Sequence, residues 1–297
     1  MEMIVKQIVE TMCGIVECHA DKPRTPTIVP GLVLHQMETS INPIHALYHP
    51  RVCIILRGGK TVSLGHERFH VDQSTFLLVT VDLPVASQVF KADNGKSHLA
   101  LTLDLDRTML ADVLQRLPPH QTPTSPPAGI IASELTRSLL EPFARLLNLL
   151  DNPDEVEFIR PLIVQEIHYR LARTGLGERL GQFAWSGSHL WQIGKATSWI
   201  KANYKEPMRI EELSEMAGMS VTSFHRHFKA VTLMTPIQYR TQVRLQEARR
   251  MLISERAAAG TAGVAVGYDS QSQFSRDYKR MFGAPPASDA ARLVRTI

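Results

Sequence analysis

Residues 210–231 read IEELSEMAGMSVTSFHRHFKAV, and the order of residue types in this stretch decides the fold of the C-terminal third. Leu213 and Ala217 are four residues apart, so a helix over 210–217 places both on one side. Gly218 follows, a residue that takes the positive φ of a sharp interhelical turn without steric penalty. Ser220 suits the N-cap of a second helix over 221–231, in which Phe224 and Phe228 form an inward i, i+4 pair. The spacing predicts a helix-turn-helix. Thr222, His225, Arg226 and Lys229 are left on the outer side of its second helix. Basic and hydrogen-bonding side chains there suit the reading of base edges in a DNA major groove.

Working outward, the pattern returns. Residues 264–266 lead into Gly267-Tyr268-Asp269-Ser270 and a helix over 271–282. Ser270, Phe274, Arg276, Tyr278 and Lys279 repeat Ser220, Phe224, Arg226, Phe228 and Lys229 at a constant offset of 50 residues. Between the two units, residues 236–254 read as one long helix opened by Thr235-Pro236, with Val243, Ala248 and Leu252 facing inward. Two readers joined by a rigid helix could enter successive major grooves on one face of DNA. The charge distribution points the same way. Residues 189–297 hold 16 Lys and Arg against 9 Asp and Glu, whereas residues 1–188 hold 17 against 20. A basic C-terminal third behind a slightly acidic body fits a polyanion partner for that third.

Residues 190–286 resemble the AraC/XylS family of transcription activators, most clearly in ELSEMAGMSVTSFHRHFK, TPIQYRTQVRLQEARRML and VGYDSQSQFSRDYKRMFGAPP. The resemblance implies two helix-turn-helix subdomains, each presenting one recognition helix to double-stranded promoter DNA. By motif position, base reading falls on Thr222, His225 and Arg226, and on Gln271, Ser272, Ser275 and Arg276; Lys229, Lys279 and Arg280 fall to phosphates. Promoter occupancy would then recruit or block RNA polymerase. One departure stands out. Where the family pattern has an Ile-Ala-aromatic sequence, residues 257–264 read AAAGTAGV. Each glycine costs about 1 kcal/mol relative to alanine in a helix. The second reader is therefore expected to be loosely held, with Ala262 and Gly263 offering Phe274 and Tyr278 little to pack against.

The front of the chain reads differently. Residues 52–56, 61–64, 67–71, 75–81, 85–90 and 98–105 are short apolar runs separated by Gly, Asp and Pro, as in a sandwich or small barrel. Ile4, Ile8, Met12 and Ile15 fall at helical spacing before them. A helix over 106–117 follows, then a spacer over 118–127 with five prolines. Helices are expected from Ser133, as N-cap, to Leu150 and from Pro153 to Arg173; they either form a dimer interface or pack on the barrel. Residues 175–187 carry four glycines and read as a hinge. The stretches VPGLVLHQ, HALYHPRVCIILRGGKTVSLG, FLLVTVDLPVASQVF and HLALTLDLD resemble the N-terminal cupin-like domain of one AraC-type subgroup. That resemblance implies an effector-binding or oligomerisation domain. The expected fold is therefore multi-domain α+β: a cupin-like β-barrel or jelly roll with flanking helices over 1–187, then an all-α tandem helix-turn-helix domain over 188–297.

Other chemistries fit less well. At 297 residues, with 44% hydrophobic and 21% charged side chains, the chain has the composition of an ordinary globular protein of about two domains. No run of about 18 apolar residues is present, so no membrane partner is expected. Charged residues interrupt the N-terminus, unlike a signal peptide, and three cysteines do not make a disulfide framework, so a cytoplasmic protein is expected. A metal-dependent cupin needs a His-x-His pair, but His66 and His70 are four apart, about 13 Å along a strand. His45 and His49 could share an ion only on a helix, which Pro43 and Pro50 oppose. No metal, cofactor or catalytic group is assigned, and no enzyme is expected. Cys13 and Cys18 point about 140° apart on a helix, which argues against a thiol switch. A small-molecule pocket in the barrel remains, with His45, Tyr48 and His98 as its polar groups.

Overall fold

Gly, Pro and Asp punctuate the N-terminal half so closely that it folds as short strands. The computed structural model describes residues 2–37, 43–92, 95–118 and 128–294. After helix α1 (Glu2–His19) come β1 (Arg24–Pro26), β2 (Leu32–Met37), β3 (Ile44–Tyr48), β4 (Arg51–Arg57), β5 (Gly59–Leu64), β6 (Glu67–Val71), β7 (Thr75–Val79), β8 (Leu83–Phe90) and β9 (His98–Asp104). Helix α2 (Arg107–Gln115) and strand β10 (Ile130–Glu134) complete the unit. Two antiparallel sheets result, one ordered β1-β2-β9-β4-β7-β10 and the other β3-β8-β5-β6. Their face-to-face packing is the expected cupin-like jelly roll. β4 is buried along its whole length because both of its faces are covered.

Helices α3 (Arg137–Asn148), α4 (Val156–Ala172) and α5 (Gly177–Ala184) flank the sandwich. Two expectations need correction here. Ser133 is not a helix cap: residues 130–134 pair with β7 in register Ile130↔Val79 to Glu134↔Thr75, and the helix starts only after Thr136. The open edge of β7 takes up this Ile-Ile run as a strand, which local spacing did not reveal. Nor are residues 175–187 a free hinge. Leu176, Leu180 and Phe183 fall at i, i+4, i+7 and are buried, so α5 packs despite Gly177 and Gly181. The Pro-rich spacer lies outside the described residues, apart from Pro118.

The C-terminal helices are α6 (His189–Ala202), α7 (Ile210–Met216), α8 (Val221–Thr232), α9 (Pro236–Ser254), α10 (Ala259–Ala265), α11 (Gln271–Phe282) and α12 (Pro286–Val294). Ser188 caps α6 by accepting from the Trp191 amide, and Thr235 with Gln238 forms a full capping box at the start of α9. One hydrophobic core runs without a break from the sandwich through Ile193, Leu213, Phe224, Phe228 and Tyr239 to Val243. A second, separate core holds Leu245, Ala248, Leu252, Ala262, Val266, Phe274 and Tyr278. The first helix-turn-helix thus shares a core with the sandwich, and the second has its own core on the far half of α9.

Candidate nucleic-acid interface

The first reader is built as its residue types dictate. Gly218 takes φ +63°, so the chain turns sharply between α7 and α8. The Ser220 hydroxyl accepts from the Ser223 amide and starts α8. Leu213, Ala217, Phe224 and Phe228 are buried, with the two phenylalanine rings 5.4 Å apart and Phe228 meeting Tyr239 edge-on at 5.6 Å. Thr222, His225, Arg226 and Lys229 are all exposed on the opposite side. His227, which spacing did not single out, turns inward and stacks on His189 with ring centroids 4.0 Å apart.

The second reader repeats this plan. Gly267 takes φ +88°, and the Ser270 hydroxyl accepts from the Gln273 amide at the head of α11. Gln271, Ser272, Arg276, Lys279 and Arg280 are exposed, and Ser275 is half-buried. Arg280 is engaged by Asp277 at 2.7 Å, and the Ser272 hydroxyl lies 3.0 Å from that of the capping Ser270. Arg226, Lys229, Arg276 and Lys279 pair with no carboxylate among the described residues. The two outer faces are therefore hydrogen-bonding surfaces with unneutralised charge.

The loose packing expected of the second reader is not what the structure holds. Phe274 and Tyr278 are buried, and Tyr268, Phe274, Tyr278 and Phe282 form a ladder of ring contacts at 5.3, 5.6 and 4.5 Å. Gly263 is part of the fit: a Cβ there would lie 3.0 Å from the Phe274 ring. The large inward side chain missing from α10 is replaced by direct approach of the ring to the backbone. A Cβ on Gly260 would meet only the Gln271 side chain at 3.5 Å, an ordinary contact. The two glycines should therefore respond oppositely to alanine. Gly260→Ala is expected to raise stability by about 0.4–1 kcal/mol. Gly263→Ala should lower it by about 1–3 kcal/mol through overpacking. Thermal denaturation midpoints of the two variants check the signs.

Polar contacts tie the readers to the sandwich. The buried Asp82 carboxylate accepts from Lys201 Nζ at 2.8 Å and Ser198 Oγ at 2.9 Å, while Tyr239 donates to its backbone oxygen at 2.8 Å. The Gly129 amide donates to the Val231 carbonyl at the end of α8, 2.7 Å away. His45 also belongs to this seam. It lies three residues from Tyr48 on β3, hence on the opposite face, and its ring meets Phe282 edge-on at 4.7 Å. His45 is thus corrected from a pocket group to an interdomain contact. Burial, reinforced by Arg249, lowers its pKa to about 4 and keeps the imidazole neutral at neutral pH.

Tyr48, at the end of β3, and His98, at the start of β9, are buried. The Tyr48 ring is flanked by the Arg51 guanidinium at 5.2 Å and the Lys60 ammonium at 5.0 Å. His98 is buried with Nδ1 lacking a partner among the described residues, and burial, with Lys60 second, lowers its pKa to about 4. Lys60 and Arg51 were not legible as neighbours of Tyr48, since neither spacing nor composition shows which strand residues converge. A separate groove of about 2260 Å³ opens between α1, β10 and the start of α3, lined in part by Cys13, Glu17, Arg57, Thr136 and Glu141. Among the described residues no three His, Cys, Asp or Glu side chains are placed to hold a metal ion, and no helix is long and apolar enough to cross a membrane.

Residues 28–179 match the family described as the AraC-type transcriptional regulator N-terminus, and residues 213–292 match a helix-turn-helix domain family. The chain belongs to the AraC-type transcriptional regulators. Among curated relatives, it is 30% identical over 103 residues to the transcriptional activator RhaS of Pectobacterium carotovorum, covering 35% of this chain and 37% of that one. It is 31% identical over 117 residues to the transcriptional regulator ArgR of Pseudomonas aeruginosa, covering 39% and 34%. The AraC-type chain described here thus aligns with about a third of the length of these relatives. Across nearly its whole length the fold is that of ToxT from Vibrio cholerae, solved with an unsaturated fatty acid bound: TM-score 0.55 at 7% identity, covering 87% of this chain and 94% of that one.

Proposed function

We propose that the protein regulates transcription by placing α8 and α11 in successive major grooves of double-stranded promoter DNA. The observation that carries this reading is the pair of capped, aromatic-anchored helices whose exposed outer faces hold Arg226, Lys229, Arg276 and Lys279, none of them paired with a carboxylate among the described residues. Thr222, His225 and Arg226 read bases in the first groove, and Gln271, Ser272, Ser275 and Arg276 in the second. Lys229 and Lys279 contact phosphates; Arg280 joins them only by leaving Asp277. The division into 1–187 and 188–297 is supported by the Ser188 cap at the start of α6.

The sandwich takes a small-molecule effector, with Tyr48 and His98 beside Arg51 and Lys60 as its polar lining. A second copy of the chain docks through α4, whose Phe158 and Leu162 are 73% and 63% exposed one turn apart. Bound at a promoter in the cytoplasm, the protein acts on RNA polymerase and carries out no chemistry of its own.

The test compares two side chains a turn apart. Arg226→Ala is expected to weaken binding to a selected site by about 1–3 kcal/mol and to relax base preference there. Lys229→Ala should weaken cognate and scrambled duplexes about equally and flatten the salt dependence. Titrations of both variants on both duplexes at several salt concentrations decide it. An Arg226→Ala protein with unchanged discrimination would sink the assignment.

A further inference from the structure

The two hydrophobic cores of the C-terminal half change over on α9 between Val243 and Leu245. The residue at the changeover is Arg244, and its side chain reaches both units. Nε donates to the Tyr204 carbonyl at 2.6 Å and Nη2 to the Lys205 carbonyl at 3.0 Å, both in the loop between α6 and α7. These acceptors lie just beyond the C-terminal end of α6, where a cation is favourable. The same guanidinium sits 5.9 Å from the Tyr268 ring, in the turn of the second unit. Gly267 of that turn comes so close that a Cβ there would lie 2.7 Å from Arg244 Nη2 and 2.6 Å from the Lys205 carbonyl. Tyr204 packs against both cores.

We propose that Arg244 is a positioning residue that fixes the second reader relative to the first, and so sets the spacing between half-sites that the protein accepts. The inference rests on the reading of α8 and α11 as paired DNA readers. A shared helix fixes distance along its axis, but the orientation of each unit around that helix is set by the side chains that pack between them. Val243 and Leu245, on either side of Arg244, are buried in different cores, and the Arg244 fork links the two units by gripping the first while stacking on the second. Lysine cannot replace this fork, because one ammonium on a flexible stem does not hold two carbonyls and a ring in one plane. Arg240 adds one bond to the same loop, from Nη1 to the Glu206 carbonyl at 3.3 Å.

The experiment uses the full chain and duplexes that the wild type selects from a random library. Base pairs are then inserted or deleted one at a time between the two protected half-sites. Each step rotates one half-site by about 35° and moves it by about 3.4 Å. Wild type should lose about tenfold or more in affinity per step, as for a mismatched contact. Arg244→Ala and Arg244→Lys should both bind the original and shifted spacings within about threefold of each other. Arg244→Lys keeps the charge and the aliphatic stem, so it answers the question even if the alanine variant folds poorly. An unchanged spacing profile in Arg244→Lys overturns the proposal. So does equal weakening of Arg244→Ala at all spacings with full rescue by lysine, which would mark Arg244 as a phosphate contact. If wild type enriches no sequence at all, the paired-reader reading fails first, and the proposal with it.

Discussion

Asp289→Ala is expected to melt the second reader away from α9 at a cost of about 3–5 kcal/mol, the range for breaking one side of a buried ion pair. Asp289 is fully buried and accepts from Arg249 Nε at 2.8 Å and Nη2 at 3.2 Å, from Tyr278 Oη at 3.0 Å and from Arg292 at 2.7 Å. One carboxylate thus joins α9, α11 and α12. Without it the Arg249 guanidinium, itself nearly buried and stacked 4.4 Å from Phe282, is left without its counter-charge. Burial pushes the Asp289 carboxyl up, but hydrogen bonds from Arg249, Arg292 and Tyr278 outweigh it and hold the group below its ordinary value. A depressed folded value means that the stabilisation is fully present above the unfolded carboxyl range of about 4 and is lost as pH falls through the folded value. Hydrogen exchange should show protection lost in α11 and α12 while the sandwich keeps its own, because the second core is separate. Equal loss in both would mean that the cores are coupled.

Tyr239→Ala is expected to cost about 3–5 kcal/mol as well, the range for emptying a buried aromatic site, but with the opposite footprint. Tyr239 is fully buried, packs edge-on against Phe228 and donates to the Asp82 backbone oxygen. Burial and the nearby Asp82 carboxylate push its phenol well above the usual range, so it remains a donor. Its loss opens the core shared by the sandwich and the first reader, and exchange should rise on both sides of that seam. Tyr239→Phe keeps the ring and removes only the bond, leaving a buried carbonyl unsatisfied for about 1–3 kcal/mol. Urea denaturation of the two variants separates the cavity from the hydrogen bond. Equal losses would mean that the hydroxyl, not the ring, carries the contact.

What the sequence reveals here follows from how local each signal is. The two readers were legible because Gly218, Ser220, Phe224 and Phe228 act on one another within a few turns of chain, and the copy at Gly267, Ser270, Phe274 and Tyr278 excludes coincidence. The strands of the sandwich were legible as elements for the same reason. Their partners were not. Residues 130–134 are a strand only because β7, more than 50 positions earlier, leaves an edge open. His45 and Tyr48 were grouped as pocket residues, yet strand alternation sends them to opposite faces, which matters only once Phe282 lies against one of them. The Gly263 fit is non-local in the same sense: a glycine in a weak helix reads as a defect until the Phe274 ring is seen to occupy the space of its missing Cβ. Asp289 gave no signal in its alanine-rich surroundings, since Arg249 reaches it from 40 residues away.

The central claim is that two helices of one chain read DNA one helical turn apart. Hydroxyl-radical footprinting of the full chain on a duplex it selects tests that claim most directly. Two protected patches on one face of the helix, with centres about 10 base pairs apart, are the predicted result. Thr222→Ala with His225→Ala should erase one patch, and Gln271→Ala with Arg276→Ala the other. A single patch that either double variant abolishes, or even protection without sequence preference, would contradict the account.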